Sequence, residues 1–80
     1  MKTDSAKSRT LDVRPIIAGG GSPLEKIIAA TRGLGPQDNL LLITPFLPSP
    51  MIEKLQSEGF QARPERRSDG AWQTTFARKN

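Results

Sequence analysis

The chain has no cysteine and no histidine among its 80 residues. The first absence excludes a disulfide scaffold and a thiolate nucleophile. The two together exclude a Cys- or His-ligated metal centre and imidazole acid–base chemistry. Aromatic residues are only 5% and are not interleaved with bases as a stacking platform for single strands. No apolar run approaches the ~20 residues of a membrane span. Residues 1–10 are polar and include Asp4. They carry no apolar signal-peptide core, so the expected location is the cytoplasm.

What is present describes one small domain. Twelve bases against eight acids leave a net charge of +4 and a pI near 10.1. Hydrophobic residues are 35%. A chain of this size buries only ~60–65% of its unfolded surface, so nearly every apolar position must be used. Residues 1–9 hold almost nothing apolar and read as a disordered tail ahead of one domain over 10–80. The charge is uneven: residues 60–80 carry five bases and two acids. A basic final third suits nucleic acid or an acidic partner, or equally a sheet edge kept soluble by charge.

Thr10–Arg14 alternates polar and apolar, the pattern of a half-buried strand with Leu11 and Val13 inward. Ile16–Gly21 reads as a loop closed by three glycines. Ser22-Pro23-Leu24-Glu25 carries a capping serine, a first-position proline and a capping-box glutamate. It starts a helix that buries Leu24, Ile27, Ile28 and Thr31 and stops at Gly33. Asn39–Thr44 is a continuous apolar run, expected as a central strand buried on both faces. Ser49 and Pro50 open a second helix with Met51, Ile52 and Leu55 buried and Gly59 as its stop. Phe60–Arg66 is an edge strand marked by Pro64. The Asp69-Gly70 turn leads into a last strand over Ala71–Ala77, with Trp72, Thr74 and Phe76 on one face.

The resulting order is βαβαββ. Right-handed crossovers put both helices on one face of a four-stranded mixed sheet, with the second and fourth strands central. The class is α+β, a two-layer sandwich.

In such sheets, ligands sit beyond the carboxyl ends of the parallel strands. The Gly19-Gly20-Gly21-Ser22 bend and the Thr44–Ser49 bend, with Phe46 and Ser49, both belong there. Both helix starts would aim N–H groups at this rim. Arg14 ends the first strand there; if the third strand is parallel too, Arg66 and Arg67 leave it at the same edge, and Trp72 starts the fourth beside them. These ten positions form the candidate ligand-binding set, for a small anion or a protein partner. Plain structural readings stand beside it: a flexible turn for the glycines, solvated charge at a hairpin for the arginines, a core role for Trp72. No Gly-Lys-Ser/Thr follows the glycines and no G-x-G-x-x-G spacing exists, so neither nucleotide loop is present. Ser22 and Ser49 lack a neighbouring base, and no carboxylates are paired for acid–base work. No enzyme activity and no cofactor are expected. Three partner readings follow. One is a protein or small anion at the rim. Another is RNA on the basic final third. The third is a second copy on the open sheet face, giving a monomer or weak homodimer. No membrane partner is expected.

From Leu11 to Phe76 the chain resembles the TusA/SirA-like superfamily of small sulfur-carrier domains, which share this element order. Leu11-Asp12-Val13-Arg14 matches their first strand. Gly20-Gly21-Ser22-Pro23 stands where they carry Cys-Pro-x-Pro, so the persulfide cysteine is replaced by Gly20, and sulfur relay by that route is excluded. A closer resemblance is to the domain-of-unknown-function family 2249. It rests on Leu11–Pro15, the apolar strand Leu40–Ile43, Pro48-Ser49-Pro50 and Ser57-Glu58-Gly59-Phe60. Many relatives carry Asp and His before the Pro-x-Pro, a pair suited to metal. Pro45, Phe46 and Leu47 stand there instead, so no metal site is implied. The resemblance implies the two-layer fold and leaves the function open.

Overall fold

A computed structural model of the protein describes residues 8–79. The expected tail falls mostly on residues 1–7, which lie outside that range. Four strands form one sheet: β1 (Ser8–Asp12), β2 (Asn39–Thr44), β3 (Phe60–Arg66) and β4 (Trp72–Arg78). Their order is β1-β2-β4-β3. β1 lies parallel to β2, and β4 is antiparallel to both β2 and β3. The second and fourth strands are therefore central, as the pattern predicts. β1 begins two residues before the expected start, at Ser8, and ends at Asp12.

Among the described residues there are three helices rather than two: α1 (Arg14–Ala18), α2 (Leu24–Arg32) and α3 (Ser49–Ser57). The short α1 replaces the loop expected over Ile16–Gly21, and Arg14 opens this helix instead of closing β1. The cause is local. The Asp12 carboxylate accepts the backbone N–H of Arg14 at 3.0 Å, turning the chain out of the strand. Pro15 then fits the first turn, where its missing N–H costs nothing.

Neither serine caps its helix. Pro23 and Pro48 occupy the cap positions, and no side-chain cap bond forms. Both prolines are buried. In α2 the buried line runs Pro23, Ile27, Thr31 at four-residue spacing, so Leu24, expected inside, turns outward and is 39% exposed. Gly59 ends α3 with φ +96°, a left-handed conformation that glycine adopts without Cβ strain.

The core lies between the sheet and the helices. Leu40 and Leu42 of β2, Phe76 of β4 and Phe60 of β3 meet Ile27, Leu34 and Leu55 from the helical layer, with Val13 from the β1–α1 junction. β2 is not covered on both faces, contrary to the reading of its apolar run. Leu40 and Leu42 are buried, whereas Leu41 is half-exposed on the face without helices. That open face carries Thr10, Asn39, Gln61, Arg63, Glu65, Gln73 and Thr75 around Leu41 and Ala77. It is a polar surface rather than an apolar patch.

Candidate functional site

β1, β2 and β3 run in one direction, so their carboxyl ends meet the start of β4 at one sheet edge. Register brings the pieces together: Asp12 lies beside Ile43, and Thr44 lies beside Trp72, which lies beside Arg66. Alternation then divides this edge into two sides.

On the open-face side sits a closed network of charges. Arg14 Nη2 donates to Asp12 Oδ2 at 2.7 Å, and Arg14 Nη1 reaches Asp69 Oδ2 at 3.4 Å. Arg67 Nε pairs with the same Asp69 oxygen at 3.2 Å, and Arg67 Nη1 donates to Gln73 Oε1 at 3.1 Å. Asp69 thus joins the first strand's exit to the β3–β4 hairpin, 55 residues away in sequence. Its Oδ1 also accepts the Ala71 N–H at 2.9 Å. Beneath the network, Ile43 is only 6% exposed although no described helix covers its face. Its register neighbours Asp12 and Gln73 both belong to the network.

The network holds both carboxyls below their ordinary value near 3.8. For Asp12 the largest cause is the side-chain bond from Arg14, followed by the Arg14 backbone N–H. For Asp69 it is the Ala71 backbone N–H, followed by the Arg67 guanidinium. A carboxyl whose folded pKa lies below its unfolded one stabilises the fold fully above the unfolded value. That contribution is lost as pH falls through the folded pKa. Stability is therefore expected to hold from neutrality to about pH 4 and to decline below it. Asp69→Asn should flatten this acid limb. The Ala71 amide shift, followed by NMR from pH 6 to pH 2, reports the transition. Titration of Asp69 at or above its ordinary value would contradict the geometry.

On the helix side the rim is different. Arg66 is exposed, and its guanidinium makes no ion pair with another described residue. Beside it, Trp72 is half-buried, and Thr44 is fully buried with its hydroxyl donating to the Phe46 carbonyl. That bond ties the β2–α3 bend to the sheet end while Phe46 and Leu47 stay 47% and 42% exposed. With Leu24 in the first turn of α2, these are the exposed large hydrophobic residues among those described.

The expected anion cradle is sparse in N–H groups. Those of Gly19, Gly20 and Gly21 donate to Pro15, Ile17 and Ile16 carbonyls at 3.1, 3.0 and 2.9 Å, closing α1. The Ser49 N–H donates to Leu47, and Pro50 has none to offer. Ser22 is exposed without a capping bond. Of the sequence-derived set, the fold joins Arg14 to Arg67 through Asp69. It aligns Arg66 with Trp72 beside the Phe46 bend, and it commits the glycines to backbone duty.

Asp12, Asp69 and Gln73 were not among the candidate residues. The Asp-x-Arg spacing of Asp12 and Arg14, and the Arg-x-Asp spacing of Arg67 and Asp69, carry a local signal for them. The meeting of Arg14 with Asp69 carries none. The bases of the final third do not form one stripe: Arg63 lies on the open face, Arg66 and Arg67 at the rim, and Arg78 at the opposite pole.

No group of three or more acidic side chains that could hold a metal occurs among the described residues. No described helix is long and apolar enough to cross a membrane. A family model described as an uncharacterized conserved protein, DUF2249, matches residues 10–78. No curated protein and no solved structure matches the chain. Over nearly its whole length, then, this chain belongs to the DUF2249 family of uncharacterized conserved proteins.

Proposed function

We propose that this is a non-enzymatic, cytoplasmic accessory domain that docks a protein partner on the helix side of the rim. The observation that carries the reading is the position of its exposed apolar side chains. Leu24, Phe46 and Leu47 are the exposed large hydrophobic residues among those described, and all three belong to the helix-entry pole, where Arg66, without an ion pair among the described residues, lies beside half-buried Trp72. Aromatic and arginine side chains dominate binding hot spots because they bury large area and donate several bonds at once. The partner that fits presents an apolar anchor flanked by carboxylates.

A small anion at the same rim is the weaker form of this reading. Arg14 and Arg67 already face Asp12 and Asp69, and the glycine N–H groups are spent. The resemblance to sulfur carriers, on this view, is one of fold. Gly20 in the cysteine position leaves a binding surface without the nucleophile.

The test is a partner recovered with the native protein and then mapped on it by amide shifts. Phe46→Ser and Arg66→Glu should each weaken binding about tenfold or more, while Arg63→Gln on the open face leaves it unchanged. Shifts should gather at Leu24, Phe46–Ser49 and Trp72. Binding that survives Phe46→Ser, or shifts centred on Thr75 and Ala77, would overturn the reading.

A further inference from the structure

A second concavity lies at the pole opposite the rim. It is a groove of about 260 Å³ between the last turns of α2 and α3, closed by the start of β3 and the end of β4. Its floor is apolar: Ile28 from α2, Leu55 from α3 and the ring of Phe60. Its walls are cationic. Arg32, Lys54 and Arg78 line it with one carboxylate, Glu58, which pairs with Lys54 at 3.5 Å.

The two guanidiniums keep donors to spare. Arg78 lies 4.9 Å from the centroid of the Phe60 ring, its neighbour in register, and spends Nη2 on the Thr31 carbonyl at 3.3 Å. A guanidinium has five N–H bonds in a planar fork, so most of Arg78's donors remain. Arg32 makes no ion pair with another described residue. Stacking on Phe60 and bonding to Thr31 hold the Arg78 head over the groove instead of in solvent.

An apolar floor under uncompensated guanidiniums selects a ligand with both an apolar body and a negative charge. A bare phosphate or sulfate would lose water to Ile28 and Leu55 without compensation. The carbonyl ends of α2 and α3 carry partial negative charge and oppose a dianion further. The volume is below the ~300–1,000 Å³ of sites for drug-sized ligands, which limits the body to one ring or a short chain. We propose that this groove binds a small amphipathic carboxylate. Its apolar part lies on the Ile28–Leu55–Phe60 floor and its charged end at Arg32 and Arg78. The site is independent of the rim, and either can fail without the other.

The experiment is an amide-shift titration of the full chain with hexanoate and with benzoate, compared with hexanol and inorganic phosphate. Saturable shifts should gather at Ile28–Arg32, Leu55 and Phe60 for the two carboxylates. Hexanol and phosphate should each bind at least about fivefold more weakly. Arg32→Gln, an exposed position on a helix surface, should weaken hexanoate about fivefold, and Arg63→Gln should not. Equal binding of hexanol would reduce the site to a greasy dent, and equal binding of phosphate to diffuse charge. Either result, the absence of saturation, or indifference to Arg32→Gln overturns the proposal.

Discussion

Phe76→Ala is expected to remove about 3–5 kcal/mol of unfolding free energy, the usual cost of truncating a buried aromatic side chain. An 80-residue domain holds only ~4–12 kcal/mol in total. The variant should therefore be partly or wholly unfolded near physiological temperature. The size of the effect follows from position. Phe76 is fully buried on central β4, with Leu40 beside it on β2 and Ala62 on β3. No disulfide can hold the chain while the core is reduced. Urea unfolding followed by circular dichroism measures the loss. A change below about 1 kcal/mol would mean that the core is not centred on β4.

Thr74→Val and Thr44→Val are expected to change stability in opposite directions, although the chemical change is the same. Both threonines are fully buried on the helix-facing side of the central strands. The Thr74 hydroxyl has no hydrogen-bond partner among the described residues. Replacing it with a methyl group of similar shape removes an unmet polar group and should stabilise the fold by about 1–3 kcal/mol. The Thr44 hydroxyl donates to the Phe46 carbonyl. Its loss should cost about 1 kcal/mol and loosen the bend that presents Phe46 and Leu47. Urea midpoints of the two variants, measured side by side, decide the matter. A neutral or destabilising Thr74→Val would show that the hydroxyl finds a partner. The Thr44 variant further predicts weaker docking at the rim without a change in any exposed side chain.

The parts of the fold legible in the chain are those whose signals lie within a few residues of one another. Phe60–Arg66, the Asp69-Gly70 turn and the strand after it are read from alternation, one edge proline and one hairpin dipeptide. They stand within a residue of where that pattern puts them. α1 is the main omission. Its signal, Asp12 followed by Arg14-Pro15, is brief and competes with a strand pattern that continues to Val13. The two serine caps fail for a related reason. Buried Pro23 and Pro48 take the cap positions, and burial is a tertiary property that capping statistics do not contain.

The candidate site divides the same way. The order of elements puts Arg14 and the helix entries at one edge, and the convergence of Arg66, Arg67 and Trp72 there follows once β3 runs parallel to β2, as it does. Which of them remains available is not legible in that order. Alternation along each strand sends Asp12 and Gln73 to one face and Thr44, Trp72 and Arg66 to the other. Asp12 pairs with Arg14 at 2.7 Å, and Asp69, 55 residues away in sequence, reaches the same guanidinium at 3.4 Å. The groove at the other pole has no sequence signature at all, since Arg32, Lys54 and Arg78 come from three separate elements.

By itself, the order of residues determined the layer architecture and the strands at the sheet centre. These depend on composition and on periods of two and about four residues, which neighbours along the chain encode. Only the folded structure decided which charges are paired, which N–H groups are consumed and where apolar side chains stay exposed. Those outcomes depend on register and packing between distant segments, and the Coulomb and hydrogen-bond terms involved act only over the few ångströms that folding creates.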